Sequence, residues 1–382
     1  MRLNAHPSLT AEGDVPRHWR QLDGLRALAV AMVCWQHWMP RRWHAGIQWG
    51  ALGVDLFFVL SGFLITGILL GCRRHHESGW QSVGFTARRF YARRFLRIFP
   101  LYYAVLLVAS FALTLEPGIL VSLWTYTFNL WGGLRGQLSG SLVSHFWSLA
   151  VEEQFYLAWP WVILLVPRRA LTAVVAATIA IGPLSRLALF LGGAPYDAMR
   201  MATTSCLDLL AGGALFACLV DRAGLERVRR GRLARAALWI GLPLFLWGLA
   251  IQWNRRGGAQ GATALDVLVV YTRWPLFAWL VVAAASRMGG PFGRLLESRP
   301  LVYVGKISYG VYVFHAFALV LDRVGLRGAP PLARLVAYSA FTLAVSALSW
   351  HLFEARIHAW KERFPYRAER PAPGASETRR AA

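Results

Sequence analysis

The order of apolar and polar positions along the chain is that of a protein made for lipid. Runs of mostly apolar residues, each near the roughly 20 that a helix needs to cross a bilayer, fall at 22–39, 49–71, 98–115, 146–166, 170–190, 203–220, 236–253, 265–285, 307–325 and 335–353. Each predicts a span. A further apolar piece, "GILVSLWTYTFNLW" at 118–131, is short for a crossing and is expected to lie along the interface or to re-enter. The fold class that follows is an all-α polytopic membrane protein, a bundle of about 10 transmembrane helices plus one short re-entrant or interfacial helix.

The polar stretches leave no room for a folded soluble domain. The expected division is an N-terminal arm over 1–21, a transmembrane domain over 22–354 and a basic tail over 355–382. The end of that tail, "YRAERPAPGASETRRAA", has the proline- and charge-rich composition of a disordered segment. The first twenty residues are too polar and too broken by proline for a cleaved signal sequence, so the first span is expected to be retained.

Composition agrees with the pattern: 56% of the 382 residues are hydrophobic and 16% charged, against about a quarter charged in an ordinary soluble domain. The net charge of +22 raises nucleic acid as a partner, and its distribution answers against that. With the N-terminus inside and ten crossings, the segments placed inside hold most of the 41 Lys and Arg. That is the bias that orients membrane proteins. Counting 118–131 as an eleventh crossing would put the strongly basic "DRAGLERVRRGRLAR" (221–235) outside. The reading is therefore a multi-pass protein of a bacterial-type inner (plasma) membrane with both termini cytoplasmic. The four cysteines have no paired spacing, so neither a metal site nor a disulfide framework is suggested, and no internal repeat of the transporter kind is evident.

Candidate chemistry comes from ionisable residues inside the spans, which are costly in lipid and mark function by default. In "LDGLRALAVAMVCWQH" (22–37), Arg26 and His37 are eleven residues apart. At 100° per residue they share a helix face, roughly 16 Å apart along the axis. Arg26 thus sits near the inner end and His37 toward the outer leaflet. Asp55, in the second span, and Glu152 and Glu153, in the fourth, fall at a depth similar to that of His37. A carboxylate beside an imidazole fixes its tautomer and stabilises its cation, as a general base requires. Adjacent glutamates point about 100° apart on a helix, so one of the two at most faces a shared site. On the inner side, Arg94 and Arg97 share a face of "ARRFYARRFLRIFPLYY" (87–103). They read either as anionic-lipid contacts or as a clamp for phosphates, which arginine binds in bidentate fashion. His315, in "VGKISYGVYVFH" (304–315), is a weaker candidate, and its neighbours Lys306, Tyr309 and Tyr312 read as structural.

Five motifs in order, "LDGLRALAVAMVCWQH", "GVDLFFVLSGFLIT", "RRFLRIFPLYY", "FWSLAVEEQFYLAWP" and "ISYGVYVFH", make the chain resemble the membrane-bound acyltransferase family 3 from about Leu22 to Glu354. That family includes O-acetyltransferases of O-antigen and exopolysaccharide and some macrolide acylases. The resemblance implies transfer of an acyl group, usually acetyl, from cytoplasmic acyl-CoA to a hydroxyl of a carbohydrate or lipid-linked glycan acceptor. It implies His37, Asp55, Glu152 and Glu153 as catalytic residues and Arg26, Arg94 and Arg97 as contacts of acetyl-CoA, the cosubstrate, with no metal. His37 either deprotonates the acceptor hydroxyl or carries the acyl group itself. "FEARI" (353–357) stands where the family commonly has glutamate-x-proline, which puts a role for Glu354 in doubt. A single-domain form is expected. A proton-coupled transporter, which also needs charges inside spans, is the alternative from another class, and a macrolide or other small-molecule acylase is the alternative within the family.

Overall fold

A computed structural model describes residues 19–79, 81–136, 142–254 and 263–366, and its regular structure there is helical throughout. The helices of the first half are α1 (Arg20–Trp38), α2 (Trp49–Glu77), α3 (Val83–Ala112), α4 (Pro117–Trp124), α5 (Phe128–Arg135), α6 (Trp147–Leu165), α7 (Arg168–Leu191), α8 (Tyr196–Met201) and α9 (Leu207–Ala223). The second half adds α10 (Leu225–Arg230), α11 (Arg232–Trp239), α12 (Gly241–Asn254), α13 (Ala264–Tyr271), α14 (Trp274–Ala285), α15 (Gly290–Leu296), α16 (Arg299–Lys306), α17 (Ser308–Phe314), α18 (Pro331–Ser349) and α19 (Ala355–Ala359).

Seven helices are long and apolar enough to cross a bilayer, and an eighth arises if α16 and the stretch Ser308–Val324, which meet at 64°, form one broken span. Of the ten spans expected, the two beyond these are α1 and α6. Each has 19 residues, about 28 Å of helix, but their length of apolar sequence is interrupted by Asp23, Arg26, Glu152 and Glu153. Both helices that fall short in hydropathy thus carry candidate chemistry.

Local signals explain several ends. Ser82 caps α3 by accepting the amide N–H of Phe85 at 3.0 Å, which satisfies one of the donors left open at a helix start. Gly136 ends α5 in the left-handed region, at φ 61°, where a residue without a Cβ fits best. The piece 118–131 is two short helices, α4 and α5, broken at 125–127, rather than one.

α2 is the axis of the bundle, packed most extensively on α9 and then on α1. The close approach is made by glycine: a Cβ on Gly62 would collide with the Leu210 carbonyl, and one on Gly213 with that of Val59. Apolar helices gain little from one another in lipid except by close packing, so small residues at the crossing bring the backbones into contact. α1 packs along α16, where Gly305 meets the backbone of Asp23 in the same way. The last span does not stop at residue 353. After α18 a single π turn, Trp350–Glu354, leads into α19 and a 3₁₀ turn, Trp360–Arg363, both packed on α3. Part of the segment expected as tail is therefore ordered, and 367–382 lies outside the described residues, as does the arm up to residue 18.

Candidate active site

A cavity of about 610 Å³ opens between α1, α3, α6 and the α16–α19 segment. Its wall carries Arg26, Arg93, Arg94, Arg97, Lys306 and Lys361 against two carboxylates, Asp23 and Glu152. The size suits a cofactor-like ligand, and four more cations than carboxylates suit a polyanion.

The bundle fixes these cations from different directions. Arg26, nearly two turns into α1, donates to Asp23 at 2.7 Å. Arg94, on α3, lies over the rings of Tyr156 at 5.1 Å and Phe90 at 5.8 Å. Arg97 lies one turn further along, its guanidinium donating to the Lys306 carbonyl at 3.4 Å. Both Arg97 and Lys306 stack on Trp350, each 5.2 Å from the ring. A π turn widens the helix by one residue and is commonly found at functional positions; this one turns Trp350 between the two cations. Arg93 donates to the carbonyls of Lys361 at 2.9 Å and Phe364 at 3.1 Å, and Tyr366 covers its guanidinium at 4.5 Å. Burial pushes the Tyr366 hydroxyl above the ordinary phenol range, so it lines the cavity as a neutral group.

The two glutamates divide as helix geometry requires. Glu152 lines the cavity and accepts the Ser61 hydroxyl at 2.5 Å, and Ser61 in turn accepts that of Tyr156 at 3.0 Å. Glu153, one residue on, is not among the lining residues, and its buried Oε1 has no hydrogen-bond partner.

His37 and Asp55 are not on the cavity and are not paired. α1 runs unbroken from Arg26 to His37, so the expected shared face and separation hold, and His37 is exposed near the helix end. Its Nδ1 lies 2.8 Å from the Val33 carbonyl. Between His37 and the cavity stand His315, whose ring is 4.8 Å from that of His37, and Tyr312, 5.5 Å from His315 and itself a lining residue. Asp55 is fully buried and its two oxygens are engaged by Arg200, at 2.5 Å, and Arg273. The carboxylate expected beside the imidazole is instead the centre of an arginine clasp, because two buried guanidiniums need an anion more than a neutral imidazole does. Glu354 is also buried and accepts from Ser349 at 2.8 Å.

The structure thus gathers Arg26, Arg94, Arg97 and Glu152, and adds Arg93 and Lys361, expected only as orientation and tail charge, and Lys306, expected as structural. The signal for Lys306 was present, since it opens the motif that holds His315. Lys361 gave none, because it reaches the cavity only through a fold-back of the chain end onto α3.

A sequence model described as an acyltransferase domain matches residues 19–351. The chain is similar to the peptidoglycan O-acetyltransferase OatA of Listeria monocytogenes, 28% identical over 364 residues that cover 88% of this chain and 55% of the relative. It is similar to the O-acetyltransferase OatA of Staphylococcus aureus, 26% identical over 369 residues, 90% of this chain and 57% of the relative. A putative peptidoglycan O-acetyltransferase of Bacillus subtilis, YrhL, is 28% identical over 373 residues, 88% of this chain and 54% of the relative. The chain spans about half the length of the curated relatives it matches. No solved structure matches it.

Proposed function

We propose a function from one premise: this chain belongs to the acyltransferase domain family. It is a multi-pass membrane acyltransferase, and our reading is that it moves an acetyl group from cytoplasmic acetyl-CoA to a hydroxyl of a cell-wall glycan on the other face of the inner membrane. The observation that carries the donor is the cavity, with its excess of four cations. Coenzyme A presents a diphosphate and a 3′-phosphate, together roughly four negative charges when a phosphomonoester is counted at −1.5 to −2. Arg93, Arg94, Arg97, Lys306 and Lys361 would hold those phosphates. The similarity to OatA of Listeria monocytogenes, a peptidoglycan O-acetyltransferase, and to YrhL, a putative one, supports a cell-wall glycan as the acceptor.

The chemistry falls to His37. Its Nδ1–H donates to the Val33 carbonyl, since a carbonyl only accepts, and this leaves Nε2 as the free base of the neutral imidazole. That nitrogen would take the proton of the acceptor hydroxyl or attack the thioester directly. The test is incubation of the purified full chain in lipid nanodiscs with labelled acetyl-CoA, with and without peptidoglycan. Acceptor-dependent transfer of label is expected, and it should fall by at least 100-fold in His37→Ala with the chain still inserted and monodisperse. Transfer at the normal rate by His37→Ala would remove His37 from the mechanism, and label moved without acetylation would favour a carrier.

A further inference from the structure

His37 has no carboxylate behind it, yet a base that becomes a cation in a low-dielectric bundle needs something to accept its charge. What the fold supplies is two further imidazoles from two other parts of the chain. His315, in the 3₁₀ turn after α17, lies edge-on to His37 at 4.8 Å between ring centres, and His145, just before α6, lies edge-on to His315 at 4.6 Å. Both are buried, at 0% and 3% exposure, while His37 is open.

The hydrogen bonds settle which nitrogen of each ring is free. His315 holds its Nδ1 2.6 Å from the Tyr312 carbonyl, and His145 its Nε2 3.2 Å from the Val313 carbonyl. A carbonyl can only accept, so both rings, like His37, spend their one N–H on backbone. Nε2 of His315 and Nδ1 of His145 are then lone pairs, and neither finds a hydrogen-bond partner among the described residues. Three imidazoles thus lie edge-on in a row, each with its one N–H spent on backbone and one lone pair left over. A buried acceptor left without a donor weakens a fold, and two in contact make that cost hard to attribute to packing. No group of three metal-binding side chains among the described residues is placed to hold an ion. The Nε2–H that a protonated His37 carries is a donor of the kind the His315 lone pair lacks.

We propose that His37 and His315 act together as the proton holder of the acyl-transfer reaction, with His315 as the positioning residue whose Nε2 accepts the Nε2–H of protonated His37 and His145 as the ring that braces His315 from behind. The inference rests on the acyltransferase reading. In the reaction, the acceptor O–H bond breaks and its proton goes to Nε2 of His37. The hydroxyl oxygen bonds to the acyl carbon, the carbon–sulfur bond breaks, and the held proton passes to the departing sulfur, so no net proton is consumed. The other polar groups that face His315 are accounted for. Tyr312, from α17, bonds through its hydroxyl to Ser148 and the His145 carbonyl. Tyr338, from α18, is tied to Asp322 and Arg334, and Trp38, from α1, donates to the His315 carbonyl at 2.9 Å. His44, beyond α1, faces His37 and bonds to Gln36 at 3.3 Å, and burial pushes its imidazole down. None of these brings a carboxylate to the three rings.

The experiment compares His315→Leu, which removes the acceptor, with His315→Gln, which keeps an amide oxygen there. Both would be assayed as full chains in nanodiscs with acetyl-CoA and peptidoglycan across pH 5 to 9. His315→Leu should lower kcat about 100-fold, leave KM for acetyl-CoA within about twofold, and move the acid limb of kcat/KM to lower pH, because the His37 cation has lost its support. His315→Gln should recover much of the rate. Unchanged kcat in His315→Leu, or a loss with an unmoved acid limb and no recovery in His315→Gln, overturns the proposal. Should His315→Leu fail to fold, His315→Phe, which keeps an aromatic ring without a nitrogen lone pair, takes its place in the comparison. A wild-type chain that transfers no acetyl group overturns the acyltransferase reading and the proton holder with it. An active wild type beside fully active variants overturns the proton holder alone.

Discussion

Arg94 and Arg97 are the residues on which the proposed donor site turns, and each is held by an aromatic surface rather than by a carboxylate: Arg94 by Tyr156 and Phe90, Arg97 by Trp350. A guanidinium stacked on a ring keeps its N–H edge free for a bidentate anion. Arg94→Glu is therefore expected to raise the apparent KM for acetyl-CoA at least tenfold while kcat at saturation changes little, and Arg97→Glu to act likewise. Direct titration of acetyl-CoA binding checks this, and unchanged affinity would remove the clamp. These two arginines, with Arg26 and Glu152, were legible in the sequence because a charge inside or beside a span has few structural reasons to be there. His315 was half legible. Its partner His145 was not, because a histidine at the start of a span looks the same whether it anchors the helix or supports a base.

Asp55 shows what helices add that residues alone do not reveal. It sits on α2, and the arginines that hold it come from α8 and from the link between α13 and α14, so three segments far apart in sequence meet at one carboxylate. The neighbouring pair Arg186–Asp208, at 2.5 Å, ties α7 to α9 in the same layer. Depth along the membrane placed Asp55 near His37, but depth carries no information about azimuth, and the azimuth of α2 is set by its glycine contacts with α9. Asp55→Ala would leave two buried guanidiniums without their anion and is expected to destabilise the chain by about 3–5 kcal/mol. A thermal-unfolding scan in detergent would register this as a large fall in midpoint. A stable Asp55→Ala protein that is merely inactive would return Asp55 to the catalytic group.

On the scale of the whole molecule, the all-helical membrane fold was readable from hydropathy, with seven or eight of the ten expected spans long and apolar enough to cross, since lipid forces backbone hydrogen bonds into helices. Breaks within spans were not: the one between α13 and α14 falls at Thr272 and Arg273 inside an apolar run, where Arg273 turns to Asp55. The proposed orientation has a direct check. Ser78 is exposed between α2 and α3, on the side assigned to the cytoplasm, and all four native cysteines are buried. Ser78→Cys should therefore react with a membrane-impermeant maleimide in inverted vesicles and stay unlabelled in intact cells, and the reverse pattern would invert the topology. The fold-back of residues 355–366 onto α3 has a consequence for the order of events during synthesis. Arg26 leaves the ribosome long before Lys361, yet they stand on one cavity wall. Every span between them must insert before that wall exists, so the cavity cannot be complete until the segment through Lys361 has been made.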